Sequence, residues 1–165
     1  MNDKMEQVLK KQKKQIDGPE VTDQEEIVQL VGFVVGEEEF AVPILSIKEI
    51  IKPIDYTRVP KTPDYVLGVF NMRGSVLPLV DLKMKFGMPP TKQNDETRVI
   101  VLKNKDEEQV GFVIEELSEA IRIKESDIEP APDSASKDNL IYGVGKKENR
   151  LVTILQIETL LKRDF

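Results

Sequence analysis

The chain has 165 residues, 39% of them hydrophobic and 33% charged, with a net charge of −6 and neither cysteine nor histidine. That length suits one domain, or two small ones packed together, able to bury about 70% of the unfolded surface. Disulfides, zinc–thiolate sites and Cys–His nucleophile pairs are excluded, and the negative charge opposes general binding to nucleic acid.

Residues 1–16 carry five lysines against Asp3 and Glu6, a local charge of +3 that leaves −9 for the remainder. Lys10, Lys11, Lys13 and Lys14 could be argued to serve a membrane or RNA tail. With apolar residues sparse there, the segment reads instead as a solvated, partly helical extension. Asp17-Gly18-Pro19 is a breaker, so residues 1–26 are taken as a flexible appendage and 27–165 as the folded domain.

Ile27 to Val35 is predicted as a strand, turning through Gly36–Glu39 into a second strand at Phe40–Val42. Pro43 is favoured at a first helical position, and Ile44, Ile47, Ile50 and Ile51 fall at helical spacing. A short helix is therefore predicted from Pro43 until Pro53 ends it. About nine helical residues do not persist alone in water, so one face must dock. Ser46 and Glu49 share another face, which is either a solvated rim or the border of an isoleucine surface open to a partner helix. Ile54 to Pro63, rich in proline, should run extended.

Val66 to Phe70 and Val76 to Leu82 are predicted strands, and Pro78 requires an edge or a bulge in the second. Asp81 can cap a short helix over Lys83–Phe86, stopped by Gly87. The polar stretch Thr91–Glu96 makes an internal seam and gives approximate halves, 27–90 and 91–165. Beyond it come a hairpin (Arg98–Lys103 with Gln109–Glu115), a strand at Leu117–Ile123, and one helical turn over Ser126–Pro132 capped by Ser126. A loop through Asp138 follows, then a hairpin of Ile141–Val144 with Leu151–Leu155. Ile157, Leu160 and Leu161 lie on one side of a terminal helix.

Nine or ten short strands with few helices have the look of small barrels rather than of βαβ units. Few aromatics and no Trp leave the core to Val, Ile and Leu, which favours β structure. Two five-stranded barrels sharing one apolar seam fit this length. Val99–Leu102 and Leu151–Leu155 show no polar alternation, as expected of strands covered on both faces.

The most informative stretch is Gly68–Leu82, where Asn71, Arg73 and Gly74 form a polar corner between apolar runs. A turn needs short polar residues and glycine, and it does not need arginine. The five fixed donors of Arg73 suit a partner's carboxylate or backbone carbonyls. Catalytic patterns are missing: there is no GxSxG, SxxK or GxxxxGK[ST]. Asp81 with Glu115 or Glu116 could form an acid pair, but each is explained as well by capping or a strand end. No catalytic residue, metal or cofactor is assigned, and no apolar run approaches the ~20 residues of a membrane span.

The corner and its surroundings resemble the CheW family, adaptors that couple chemoreceptors to a histidine kinase in bacterial chemotaxis. The likeness runs from about Ile27 to Leu161. It rests on Phe40-Ala-Val-Pro-Ile-Leu-Ser-Ile-Lys-Glu-Ile, Val59-Pro60, Asn71-Met-Arg-Gly, Pro78-Leu-Val-Asp-Leu, Val110-Gly-Phe-Val-Ile, Gly143-Val-Gly and Arg150-Leu-Val. The resemblance implies two intertwined SH3-like barrels with short helices and a hydrophobic groove between them, their strands exchanged between the halves. It implies a cytoplasmic, non-enzymatic scaffold recruited to membrane receptor arrays. Its partners would be the helical hairpin at a chemoreceptor's cytoplasmic tip and the CheW-like regulatory domain of the kinase CheA. By position it places Ile47, Glu49, Ile50, Asn71 and Arg73 in the receptor-binding region, and Gly111, Leu117 and Gly143 on the kinase-binding side. Without histidine the chain cannot itself carry the phosphoryl group of a histidine-phosphorylated component. CheW-like modules also occur inside the kinase and fused to receiver domains. This chain stops at Phe165 directly after its last helix, which favours a free-standing adaptor.

Two alternatives stand beside this one. The chain could be a CheW-like scaffold in another receptor–kinase pathway. As a different class, it could be a small barrel binding oligonucleotides, which calls for exposed aromatics over a basic groove.

Overall fold

A computed structural model describes residues 26–131 and 139–163. Apart from Glu26, the expected N-terminal appendage lies outside them, as does most of the loop expected before Asp138. Eleven strands are found among the described residues, against the nine or ten expected. In chain order they are β1 (Ile27–Val35), β2 (Glu38–Pro43), β3 (Ile47–Ile51), β4 (Val66–Met72), β5 (Ser75–Asp81), β6 (Arg98–Lys103), β7 (Gln109–Ile114), β8 (Glu116–Lys124), β9 (Ile128–Pro130), β10 (Ile141–Lys147) and β11 (Arg150–Leu155). Two short helices accompany them, α1 (Leu82–Lys85) and α2 (Ile157–Leu160).

The strands form two sheets, ordered β8-β1-β2-β11-β10-β9 and β3-β6-β7-β5-β4. The second is contiguous in sequence, whereas the first joins the N-terminal hairpin to the C-terminal strands. Each sheet is antiparallel except for one parallel pair, β2 with β11 and β5 with β7. Neither ladder closes into a full ring. In the five-stranded sheet, however, the chain leaving β3 returns to the far edge, where Thr57 and Val69 exchange two 2.8 Å hydrogen bonds. Gly68 permits this crossing, since a Cβ there would lie 2.1 Å from the Thr57 carbonyl oxygen.

Three apolar cores explain the residue pattern. Leu30, Ala41, Ile121, Ile123, Ile128, Val152 and Ile154 fill the six-stranded sheet's own interior. Phe70, Met72, Leu77, Leu79, Val99 and Val101 fill that of the other. Between the sheets lies a shared seam containing Phe33, Val35, Phe40 and Val42 from one side and Val80, Ile100, Leu102, Phe112 and Ile114 from the other. Leu160 and Leu161 at the chain's end close over it, as the terminal spacing predicts. Strand β6 is apolar from Val99 to Leu102 because successive side chains alternate between an interior and the seam. Leu151 departs from expectation: it is 66% exposed, because the β2–β11 ladder runs only through Thr153 and Ile154 and leaves the start of β11 uncovered.

The helix predicted from Pro43 is not formed. A single 3₁₀ turn spans Ile44–Ser46, and the chain then enters β3 along β6. An irregularity between Ile47 and Glu49 explains the misleading spacing. In a regular strand, residues three apart face opposite ways, but one extra residue at a bulge returns them to the same side. Ile47 and Ile50 therefore both pack on the seam, opposite Leu102 and Ile100, and mimic helical periodicity. The turn expected over Ser126–Pro132 is likewise a 3₁₀ turn at Glu125–Asp127, without a side-chain cap, that leads into β9.

Other local expectations hold. Asp81 Oδ1 accepts from the Lys83 amide at 3.1 Å and caps α1, while Gly87 (φ 86°) ends that helical turn. Asp81 also accepts from the Thr91 amide at 2.9 Å and hydroxyl at 2.7 Å, which ties down the polar stretch. The edge or bulge expected at Pro78, by contrast, is not found: β5 is an inner strand and Pro78 pairs regularly with Val69, but the parallel pairing with β7 begins only at Leu79, so no ladder donor is missed.

Because the seam belongs to both sheets, Ile100→Ala should cost about 3 kcal/mol and leave one cooperative transition. Denaturant titration checks both, and two separated transitions would show the sheets to be independent.

Candidate functional site

Met72 and Ser75 are partnered across the β4–β5 hairpin, leaving Arg73 and Gly74 as a two-residue loop. Both have positive φ, 49° and 87°, as a type I′ turn requires. Asn-Gly is the pair such a turn favours. Placing arginine first costs backbone energy that turn formation alone does not justify. Asn71 supports the loop, its Oδ1 accepting from the Gly74 amide at 3.3 Å.

Arg73 meets Glu49 in a two-pronged contact: Nε donates to Oε1 at 3.1 Å and Nη2 to Oε2 at 2.7 Å. Glu49 lies on β3, at the opposite edge of the five-stranded sheet from the hairpin that carries Arg73. The pair therefore helps the Thr57 bridge to join those edges. The Arg73 side chain stays 72% exposed and Glu49 is 27% exposed, so the corner is accessible. Hydrogen bonds from Arg73 hold the Glu49 carboxyl below its ordinary pKa. Partial desolvation opposes this, and the charges of Arg73 and Lys48 reinforce it.

Of the five residues expected on the receptor side, Glu49 and Arg73 touch and Asn71 braces the same turn. Ile47 and Ile50, neighbours along β3, point into the seam and are only partly exposed. Apolar surface near them comes from residues that sequence reasoning did not single out. Leu45 is 83% exposed on the link between the sheets, and Val76, directly across from Asn71, is 64% exposed. A buried-strand pattern hid Val76, and the helix reading hid Leu45. Beside the link opens a groove of about 310 Å³ with Val28, Leu30, Pro43, Ile154 and Ile157 on its walls.

The three residues expected on the kinase side divide between the sheets. Gly111 is buried in β7, where a Cβ would sit 2.8 Å from the Phe70 ring. Gly143 is buried in β10, where a Cβ would sit 2.7 Å from the Glu129 carbonyl oxygen. Both positions require glycine for close packing. Leu117, on β8, is 37% exposed. Next to it Ser118 donates to Glu39 at 2.7 Å, and Arg150 contacts Glu119 and lies 2.9 Å from Glu39. The Arg150 Nε contact with Glu39 is a charge contact without hydrogen-bond alignment. This network spans three strands above Gly32, where a Cβ would meet the Ser118 hydroxyl at 2.5 Å.

The carboxylates weighed as an acid pair are occupied. Asp81 holds three donors, and Glu115 accepts from the Gly36 amide at 2.7 Å and from Lys83 at 3.2 Å. Among the described residues, no group of three or more Asp or Glu is disposed to hold a metal, and no helix is long and apolar enough to cross a membrane.

Comparison with known proteins settles the family. The model of the CheW-like domain matches residues 29–165. The chain belongs to the CheW family. It is 51% identical to the chemotaxis protein CheW of Helicobacter pylori over the whole of both chains, so that alignment takes in the N-terminal segment as well. It is 36% identical to CheW of Bacillus subtilis, covering 82% of this chain and 88% of that one. The crystal structure of the scaffolding protein TtCheW from Thermoanaerobacter tengcongensis superposes with a TM-score of 0.77 at 26% identity, covering 84% of this chain and 95% of that one. The protein is thus a CheW-type chemotaxis adaptor, which couples receptors to the kinase CheA, and it is not an enzyme.

The depressed Glu49 pKa means that the pair is intact at neutral pH and is lost as pH falls below the ordinary glutamate range. An NMR titration of the Glu49 carboxyl should show this low midpoint, and Arg73→Ala should move it up towards the ordinary value. An unmoved midpoint would mean that the pair does not persist in solution.

Proposed function

We propose that this CheW bridges a chemoreceptor tip and the regulatory domain of CheA through separate surfaces of one rigid body. The observation that carries the reading is the Arg73–Gly74 turn, where an exposed guanidinium is held in a left-handed backbone conformation by a carboxylate from the far sheet edge. A receptor helical hairpin lays an apolar stripe along the groove and the partly exposed Ile47 and Ile50. Arg73, Glu49 and Asn71 meet its carboxylates, amides or helix-end carbonyls at the rim. On the kinase side Leu117 supplies exposed apolar surface, while Gly111 and Gly143 act by letting neighbouring strands pack closely.

The folded domain is 27–165, preceded by the appendage 1–26. The halves 27–90 and 91–165 exchange strands, with β1 and β2 completing the sheet of β8–β11 and β6 and β7 completing the other. The protein works in the cytoplasm and is recruited to membrane receptor arrays by these contacts. Each contact can be weak, because linked copies raise the effective concentration of the next. Signal passes as a shift in the kinase's populations, which needs contacts that differ between its two states.

Reconstitution with a receptor fragment and CheA should make kinase phosphorylation receptor-dependent, and independence would reject the bridging role. Arg73→Ala should weaken receptor binding roughly tenfold with little change in melting temperature, since an exposed pair adds little stability; unchanged affinity in a titration would reject the corner. Glu49→Lys should impair receptor pull-down and spare CheA binding, whereas equal loss of both would indicate misfolding.

A further inference from the structure

The extended link between β3 and β4 leaves Ile54, Tyr56 and Val59 exposed within six positions of one another. Pro53, Pro60 and Pro63 stiffen its backbone. It is pinned to the sheet edge by the Thr57–Val69 bridge and by the Val66 amide, which donates to the Pro63 carbonyl at 3.0 Å. Elsewhere it stands off the sheet. One cavity of about 560 Å³ opens beside Val59, Pro60 and Pro63, and another of about 220 Å³ beside Ile54 and Tyr56. Leu67 and Pro90 line both, so the two adjoin as one groove between the link and the chain that follows α1.

Charge is distributed unevenly around this groove. Residues 52–65 and 83–92, which bound it, carry six lysine and arginine side chains against Asp55 and Asp64, a net +4. The other described residues hold twelve cations and nineteen anions, a net −7. Lys83 is committed to Glu115, and Lys85 sits over the Tyr65 ring at 4.3 Å. Arg58, Lys61 and Lys92 are exposed, and among the described residues their side chains have no ion-pair or hydrogen-bond partner. Arg58 and Lys61 flank Val59-Pro60 at the mouth of the larger cavity. Lys61 has a φ of 61°, a costly conformation for a residue other than glycine, in a turn where the Thr62 hydroxyl donates to the Val59 carbonyl at 3.1 Å. Two carboxylates line the groove. Asp64 is exposed, whereas Asp81 is buried and already holds three donors.

We propose that this groove is a further docking surface, which takes an extended acidic segment of a partner protein. Apolar side chains of the segment enter the two cavities, and its carboxylates meet Arg58 and Lys61. An extended chain sends alternate side chains to one side, which suits two adjoining cavities. The proline-stiffened link loses little freedom on binding. Leu67 lies six residues from Arg73 along β4, roughly 20 Å, so the surface is separate from the corner assigned to the receptor.

A random dodecapeptide library displayed on phage and selected on the full-length chain tests this. Recovered peptides should be rich in Asp and Glu around two or more apolar residues. Synthetic copies of them should shift the NMR amide signals of Val59, Leu67 and Thr91. Arg58→Glu with Lys61→Glu should weaken these peptides at least about tenfold and leave the melting temperature little changed, since both side chains are exposed. Arg73→Ala should alter their affinity by less than about twofold, being remote. Failure of the library to enrich acidic sequences would overturn the proposal, as would acidic peptides that shift the Arg73 corner or survive the charge reversal. Self-association abolished by the charge reversal, without acidic peptide binding, would give the groove to a second copy of the chain and overturn it too. Co-sedimentation with phosphatidylglycerol vesicles in place of peptide binding would do the same in favour of lipid.

Discussion

The rest of the structure depends on a seam that neither sheet could complete alone. Phe33 and Phe40 stack with ring centroids 6.3 Å apart, Phe86 comes within 4.9 Å of Phe40, and the apolar residues of β6 and β7 close from the other side. A domain of this length has too little interior for two independent cores of useful size. Sharing one layer gives strands such as β6 apolar contact on both faces and fixes the sheets against each other. That rigidity is what an adaptor needs, since it can transmit a geometry only if its binding surfaces keep their relation.

Much of this was legible in the sequence where the signal is local. The hairpin of β6 and β7, the Asp81 cap, the terminal apolar side of α2 and the corner at Arg73 all rest on residues close together in the chain. The failures share a cause. The spacing of Ile47 and Ile50 is that of a helix, and only the pairing of β3 with β6, some fifty positions away, reveals it as a bulged strand. Leu151 opens a run without charged residues, yet its exposure is decided by the β2–β11 ladder, which begins only at Thr153. The contact of Glu49 with Arg73 joins two sheet edges, and no periodicity encodes it. For Gly111 and Gly143 the resemblance suggested a binding region, while the packing distances give each a structural reason to be glycine.

The corner also shows how a site can be placed without being expensive. Arginine in the first turn position departs from the preferred chemistry, and the carboxylate of Glu49 offsets part of that cost. Exposed ion pairs contribute little to stability, so the arrangement is better understood as holding a guanidinium at a defined place and angle. The remaining acidic groups at the sheet junction are engaged in capping and clasping. Glu115, which binds both the β1–β2 turn and Lys83, is one of the links that make two sheets act as one piece.

The interleaving of N- and C-terminal strands in the six-stranded sheet has a consequence for biosynthesis. On the ribosome the contiguous five-stranded sheet can assemble once Ile114 has emerged and can cover the seam face of the β1–β2 hairpin, whereas that hairpin has no strand to pair with on either edge until β8 and β11 are made. Through that interval the other face of the hairpin, with Leu30 and Ala41, remains open to solvent or to other nascent chains, because its core partners Ile121, Ile123, Val152 and Ile154 are not yet made. Such non-local pairing is slow and exposes unfinished edges. The N-terminal hairpin is therefore the part of the newborn polypeptide with most need of chaperone protection.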